Sequence, residues 1–90
     1  MAAKVLPEDV TIIGGGVIGI EFAGIYSSLG VPVRVIEMAP EILGAMDRET
    51  SAMLRKEYGR RGVKFYLETK VTAVSEEGVT IETKDGKSEL

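Results

Sequence analysis

Four glycines in one short stretch are the residues of this chain that point first to chemistry. Gly14, Gly16 and Gly19 match the pattern G-x-G-x-x-G, with Gly15 between the first two, and an apolar run, Val10–Ile13, precedes them. The first glycine of the pattern permits a sharp turn, the second lets a pyrophosphate approach the backbone, and the third lets a helix pack closely on a strand. N–H groups at the start of that helix favour an anion. The motif therefore predicts a nucleotide pyrophosphate site.

Glu37 is the expected partner of these glycines. It ends a second apolar stretch and lies about twenty residues past the motif, the spacing of a carboxylate that accepts hydrogen bonds from a ribose. A carboxylate there accepts from a free 2′-hydroxyl and repels a 2′-phosphate, while Arg34 alternates to another face of its strand. The pattern therefore favours NAD over NADP.

The motif has three other interpretations. An S-adenosylmethionine site is disfavoured, because Ile13 stands where such enzymes usually carry an acid. An FAD site uses the same fingerprint and stays open. Glycines that serve only in packing, with Glu37 as an ordinary solvated carboxylate, are the least specific alternative.

Composition limits the remaining functions. The chain has 90 residues and a net charge of −3, which predicts one small domain and argues weakly against a nucleic-acid partner. Cysteine and histidine are absent, so we expect no catalytic residue, thiol chemistry or zinc site within the chain. No stretch approaches a membrane span and no signal-peptide pattern appears, so the default expectations are no membrane partner and a cytoplasmic location.

The periodicity of apolar residues predicts an α/β fold. The predicted order β-α-β-α-β implies a parallel sheet with right-handed crossovers. Turn signals at Glu76-Glu77-Gly78 and Asp85-Gly86 then predict an antiparallel β-meander. The fold class is thus a Rossmann-like three-layer domain with a C-terminal meander. The predicted elements are strands 10–13, 33–37, 63–67, 71–75, 79–83 and 88–90, with helices 17–29 and 48–61.

Several packing details also follow from the sequence. The first strand reads as buried on both faces, and Gly24 as a site of close backbone approach. Asp47 is the expected N-cap of the second helix, and the arginines and lysine near the end of that helix (Arg55, Lys56, Arg60 and Arg61) read as a solvated face. The first helix carries an apolar stripe and is expected to be largely covered. The stripe consists of Ile18, Phe22, Ile25 and Leu29.

Five segments together resemble the pyridine-nucleotide domain of the flavoprotein disulfide reductases, the pyridine nucleotide-disulfide oxidoreductase family. Within the family the dihydrolipoamide dehydrogenases are most similar, a choice favoured by the run Ile25–Gly30. NADH oxidases, coenzyme A-disulfide reductases and mercuric reductases are similar in this region too. The segments are Ile12–Ala23, Leu29-Gly30, Val35-Ile36-Glu37, Asp47-Arg48-Glu49 and Thr69-Lys70-Val71.

The resemblance implies a role for each site residue. The glycine loop would carry the NAD pyrophosphate, Glu37 would bind the adenosine ribose, and Met38 would lie beside the adenine. Val71 would touch the adenine side through its backbone; that Val71 is an ordinary core valine of the meander is an equally open interpretation. Glu21 would lie near the nicotinamide, with a helix-dipole partner as its alternative. The implied NAD(H) contacts are Gly14, Gly15, Gly16, Val17, Ile18, Gly19, Glu21, Glu37, Met38 and Val71.

The family's other machinery has no counterpart in these 90 residues. The redox-active cysteine pair, the FAD-binding segment, the proton-handling histidine and glutamate, and the final parallel strand are missing. The resemblance therefore implies that residues 1–90 form a single NAD(H)-binding domain excised from a larger FAD-containing homodimer and unable to turn over alone. Its partners would be NAD(H) and the parent's FAD and dimerisation domains, and apolar surface should be exposed where those domains dock. A free-standing, non-catalytic nucleotide-binding or sensor module is the alternative.

Overall fold

The computed structural model describes residues 7–43 and 48–90. Within these ranges the predicted order of elements is confirmed, and boundaries differ by one or two residues. Asp47, the predicted N-cap, lies outside the described residues. The elements are β1 (Val10–Ile13), α1 (Val17–Ser28), β2 (Val33–Ile36), α2 (Arg48–Arg60), β3 (Val63–Tyr66), β4 (Lys70–Ser75), β5 (Gly78–Thr83) and β6 (Gly86–Glu89).

The strands form two three-stranded sheets, as the α/β prediction requires. The first is parallel with the order β1-β2-β3, and its register aligns Val10 with Val33 and Val33 with Val63. The second is the antiparallel meander β4-β5-β6. The helices pack on one face of the parallel sheet and the meander on the other, which gives three layers.

Alternation along β2 divides the core between these layers. Val33 and Val35 pack against Ala23 of α1, on the helix side of the sheet. Ile36 packs against Val79 on the meander side. β2 is the central strand of its sheet and is covered on both faces, although Arg34 interrupts its apolar run. β2 therefore anchors both halves of the core.

The predicted burial of β1 on both faces is wrong. The strand order places β1 at the edge of the parallel sheet, and the side chain of Ile13 is 58% exposed. An apolar run shows that a strand can be buried, but it does not reveal whether the strand is central or at an edge.

The predicted coverage of α1 is also wrong. The helix turns Ile20, Ala23 and Ser27 toward the interior, and spacings of three and four residues place them on one side. The four large residues of the stripe, which we call the α1 stripe, lie on the surface. Their exposed fractions are 69% for Ile18, 49% for Phe22, 53% for Ile25 and 53% for Leu29.

Two smaller features complete the fold. Gly24 faces α2, where a Cβ would lie 2.8 Å from the Tyr58 hydroxyl, so this glycine makes room for a side chain rather than for backbone. The meander turns are Glu76-Glu77, one residue shorter than predicted, and Lys84-Asp85, one residue earlier than predicted. A glycine at positive φ opens the next strand each time. In the described part of the chain, neither helix has the length and hydropathy needed to cross a bilayer.

Candidate functional site

The turn from β1 into α1 leaves an open backbone corner. The Gly14 N–H continues the strand pairing by donating to the Ile36 carbonyl at 2.7 Å, and φ at Gly14 is +105°, a conformation that favours glycine. A Cβ built on either Gly14 or Gly16 would meet no atom within 4 Å. Both glycines therefore border free space at the carboxyl end of the strand.

The start of α1 supplies donors to that space. The Ile20 N–H bonds the Gly16 carbonyl at 2.9 Å, so the N–H groups of Val17, Ile18 and Gly19 have no partner within the helix. Gly16, the N-cap, provides no side chain to satisfy them. Free N–H groups and the helix dipole together favour an anion here.

Gly19 brings the helix close to the strand. A Cβ at this position would collide with the Gly14 carbonyl oxygen and would lie 3.2 Å from Cγ2 of Ile12. Any larger residue must therefore push α1 away from the corner. This close approach is the packing task expected of the third glycine in the motif.

Gly15 has a different environment from its neighbours. It is buried, its N–H donates to Oε1 of Glu37 at 2.7 Å, and its carbonyl accepts from the Leu43 N–H at 2.6 Å. A Cβ would lie 3.0 Å from Cγ2 of Ile42. Both backbone groups of Gly15 are thus engaged within the protein, so this residue fixes the corner to the segment after β2.

Glu37 is held at both its backbone and its side chain. The backbone N–H donates to the Tyr66 carbonyl at 2.8 Å, and the backbone carbonyl accepts from Thr69 at 3.0 Å. Oε1 accepts from Gly15, and Oε2 accepts from the Ala39 N–H at 2.8 Å. Because a carboxylate has about four acceptor positions, these two hydrogen bonds do not exhaust its acceptor capacity. The carboxylate is therefore aimed at the corner with acceptor capacity to spare.

A cavity of about 180 Å³ joins several predicted site residues. It brings Gly14, Glu37, Met38 and Val71 together, with mostly apolar walls and one carboxylate. Such a lining suits a flat apolar ring attached to a hydroxylated sugar. Glu21 is not among the lining residues and lies exposed on α1. The cavity is lined by Ile13, Gly14, Ile36, Glu37, Met38, Thr69 and Val71.

An ion pair that the sequence did not reveal ties the segment after β2 to α2. Arg55 donates from Nε to Oε1 of Glu41 at 2.5 Å and from Nη2 to Oε2 at 2.8 Å. This contact lowers the pKa of the Glu41 carboxyl and raises that of the Arg55 guanidinium. The partners are fourteen residues apart, so no local charge pattern indicates the pair. Arg55 therefore does not belong to a purely solvated basic face.

Metal ligation has no support in the described ranges, where no three histidine, cysteine, aspartate or glutamate side chains cluster suitably for an ion.

The whole chain, residues 1–90, matches the family model described as "Pyridine nucleotide-disulphide oxidoreductase". The chain belongs to this family. One relative is the dihydrolipoyl dehydrogenase of Rhizobium etli, which is 43% identical over 86 residues; the match covers 91% of this chain and 18% of that protein. The chain thus spans about a fifth of the length of this curated relative.

Solved structures agree with the family assignment. A flavoprotein disulfide reductase of Escherichia coli, induced by HOCl, superposes with a TM-score of 0.80 and is 29% identical; the match covers 98% of this chain and 20% of that one. A water-forming NADH oxidase of Lactobacillus brevis, bound to NADH, gives a TM-score of 0.75 at 29% identity, covering 91% of this chain and 19% of that one. The chain therefore has the fold of one part of those longer proteins.

Proposed function

We propose that this chain is the NAD(H)-binding domain of an FAD-dependent disulfide oxidoreductase. One observation carries the proposal: the Glu37 carboxylate is held by the Gly15 and Ala39 N–H groups beside the open backbone of Gly14 and Gly16. A carboxylate acceptor and open backbone thus lie at the same corner, as a dinucleotide requires.

Different residues of the site bind different parts of the nucleotide. The N–H groups of Val17, Ile18 and Gly19 face the pyrophosphate, and Gly16 lets it approach the backbone. Glu37 uses its remaining acceptor capacity for the hydroxyls of the adenosine ribose. Met38 and Val71 form walls of the adenine cavity. Gly15 takes part indirectly, because its N–H already binds Glu37.

NADH is the proposed form of the nucleotide rather than NADPH. Glu37 would place a negative charge against a 2′-phosphate. Arg34 does not compensate for this charge, because it lines a separate cavity with Thr11 and the β4–β5 turn.

The proposed parent is a dihydrolipoyl dehydrogenase, which converts dihydrolipoamide and NAD⁺ to lipoamide and NADH. The nicotinamide and the FAD supply the electron-transfer chemistry, and FAD is proposed to bind outside this chain. Because these 90 residues contain no cysteine, we propose that they bind nucleotide but do not turn over alone. The second candidate for the parent is an NADH oxidase or a coenzyme A-disulfide reductase, and the NADH-bound structural relative favours it.

Two surfaces support a place within a larger homodimeric protein. The α1 stripe is about half exposed or more, and β1 presents an unpaired edge with Ile13 at the surface. We propose that the parent's FAD and dimerisation domains cover the stripe and that a further parallel strand pairs with β1. Glu21, exposed on α1, would then approach the nicotinamide from the flavin side.

Titration of the chain with NADH, followed by fluorescence, tests the proposal. Saturable binding is expected, and Glu37→Ala should raise the Kd for NADH about tenfold or more, because charged hydrogen bonds to the ribose are lost. Glu57→Ala is the matched control, since Glu57 lies exposed on α2 and pairs only loosely with Arg60. Absence of saturation up to millimolar NADH contradicts the proposal. Purification of a yellow protein with bound flavin would instead support the FAD alternative.

A further inference from the structure

We propose that Glu41 and Arg55 are positioning residues for the nucleotide. Their ion pair holds the segment 37–43 against α2, and that segment in turn keeps Glu37 and Gly15 in the geometry that receives the ribose. This inference rests on the proposed function, and it assigns a share of NADH affinity and selectivity to a contact outside the nucleotide cavity.

The geometry of the ion pair suits such a role. Both arms of the carboxylate are engaged by the Arg55 fork, which fixes direction as well as distance. The side chain of Glu41 is 14% exposed and that of Arg55 is 32% exposed, so the pair is partly shielded from water. By contrast, Arg60 and Glu57 lie 3.6 Å apart and are both more than half exposed. The first pair can therefore restrain the chain in a way that the second cannot.

Three consecutive residues transmit this restraint to the corner. Glu41 also accepts the Ile42 N–H at 3.1 Å, and the Ile42 carbonyl accepts from the buried Ser51 hydroxyl at 3.2 Å. The fully buried Ile42 side chain lies against Gly15, and Leu43 donates to the Gly15 carbonyl at 2.6 Å. Since Gly15 donates to Glu37, contacts connect α2 continuously to the ribose acceptor.

The conformation of Leu43 explains why the segment needs support. Its φ is +61°, a left-handed conformation that a bulky side chain adopts only when its surroundings enforce it. Loss of the Arg55 contact would free Glu41 to turn toward solvent and remove one of those restraints. Glu37 and Gly15 would then sample more arrangements, and NADH binding would have to order them.

The test compares Arg55→Gln and Glu41→Gln with wild type, with Arg60→Gln as the matched control. Hydrogen exchange of the Gly15 and Ala39 amides is measured by NMR without ligand, and the Kd values for NADH and NADPH are measured by fluorescence. We expect Arg55→Gln and Glu41→Gln to speed Gly15 exchange and to raise the Kd for NADH about three- to tenfold. The ratio of the NADPH Kd to the NADH Kd should fall. A misplaced Glu37 binds the ribose of NADH less tightly, and it also repels the 2′-phosphate of NADPH less strongly.

The outcomes separate the two proposals. Unchanged Gly15 exchange and an unchanged ratio in folded Arg55→Gln overturn the positioning role, whether or not NADH binds. Faster exchange in a chain that does not bind NADH supports the structural link and contradicts the proposed function. If Arg55→Gln does not fold, Arg55→Lys replaces it, because lysine keeps the charge and loses the fork; the same direction of change is expected.

Discussion

The N-terminus of α1 and the outer face of α1 differ in how many of their contacts are made within this chain. At the N-terminus, the Gly15 N–H donates a hydrogen bond to Glu37, and backbone N–H groups face an open corner. On the outer face, the α1 stripe exposes four large apolar side chains. The contrast indicates that the contacts of the corner are made within this chain, whereas the apolar face is suited to a surface that these residues do not supply.

The largest expected effect is at the base of the corner. Gly19→Val should lower the free energy of unfolding by about 1–3 kcal/mol or more, because its side chain would collide with the Gly14 carbonyl. Gly59→Ala in α2 is the control, since its Cβ meets nothing within 4 Å and alanine favours a helix by about 1 kcal/mol. Chemical denaturation measures both. Equal stability of Gly19→Val and wild type would contradict the close packing.

The two sides of α1 should respond differently to substitution. Ala23→Leu should destabilise the domain by about 1–3 kcal/mol, because Ala23 is fully buried and added volume strains the core. Phe22→Ser, on the α1 stripe, should change stability by less than about 0.5 kcal/mol. Thermal unfolding distinguishes them. A larger loss from Phe22→Ser than from Ala23→Leu would show that the outer face is already packed.

The open part of the corner should affect binding more than stability. Gly16→Ala should lower the free energy of unfolding by less than about 1 kcal/mol, since its Cβ meets no atom within 4 Å and the only cost is that alanine is a poorer N-cap than glycine. The added methyl group occupies the space proposed for the pyrophosphate, so the Kd for NADH should rise about tenfold or more. Denaturation and NADH titration on the same sample provide the comparison. Unaltered NADH affinity would remove Gly16 from the site.

The smallest expected effect is a pH dependence. Arg55 lowers the pKa of Glu41 in the folded state below its ordinary value of about 4.5. The stabilisation is therefore complete above that ordinary value and is lost as pH falls through the lowered pKa. The loss should be less than about 1 kcal/mol, given solvent screening. Denaturation between neutral and acidic pH should show a smaller decline in Glu41→Gln than in wild type.

The local patterns of the sequence predicted the order of elements and the glycine turn. Apolar periodicity gave α1 and β2, and a glycine followed each meander turn. Gly14 and Gly19 have the turn and close packing expected of their motif, and Met38 and Val71 reach the same cavity as Glu37. These features depend on short-range geometry, which a single sequence can express.

Long-range contacts were not predictable in the same way. The edge position of β1 depends on strand order, and the exposure of the α1 stripe depends on which side of the helix meets the sheet. The Gly15–Glu37 bond and the Glu41–Arg55 pair join residues 22 and 14 positions apart. Each requires a folded chain before the partners meet.

The double attachment of the Glu37 side chain has a consequence for the evolution of cofactor preference. A change to NADPH usage would favour loss of the acid, yet that loss would leave the amides of Gly15 and Ala39 without their acceptor. A single substitution of Glu37 would therefore change the selectivity between NADH and NADPH and weaken the glycine turn at the same time. Under the proposed binding of NADH, a change of nucleotide would also require water or another acceptor for those two amides.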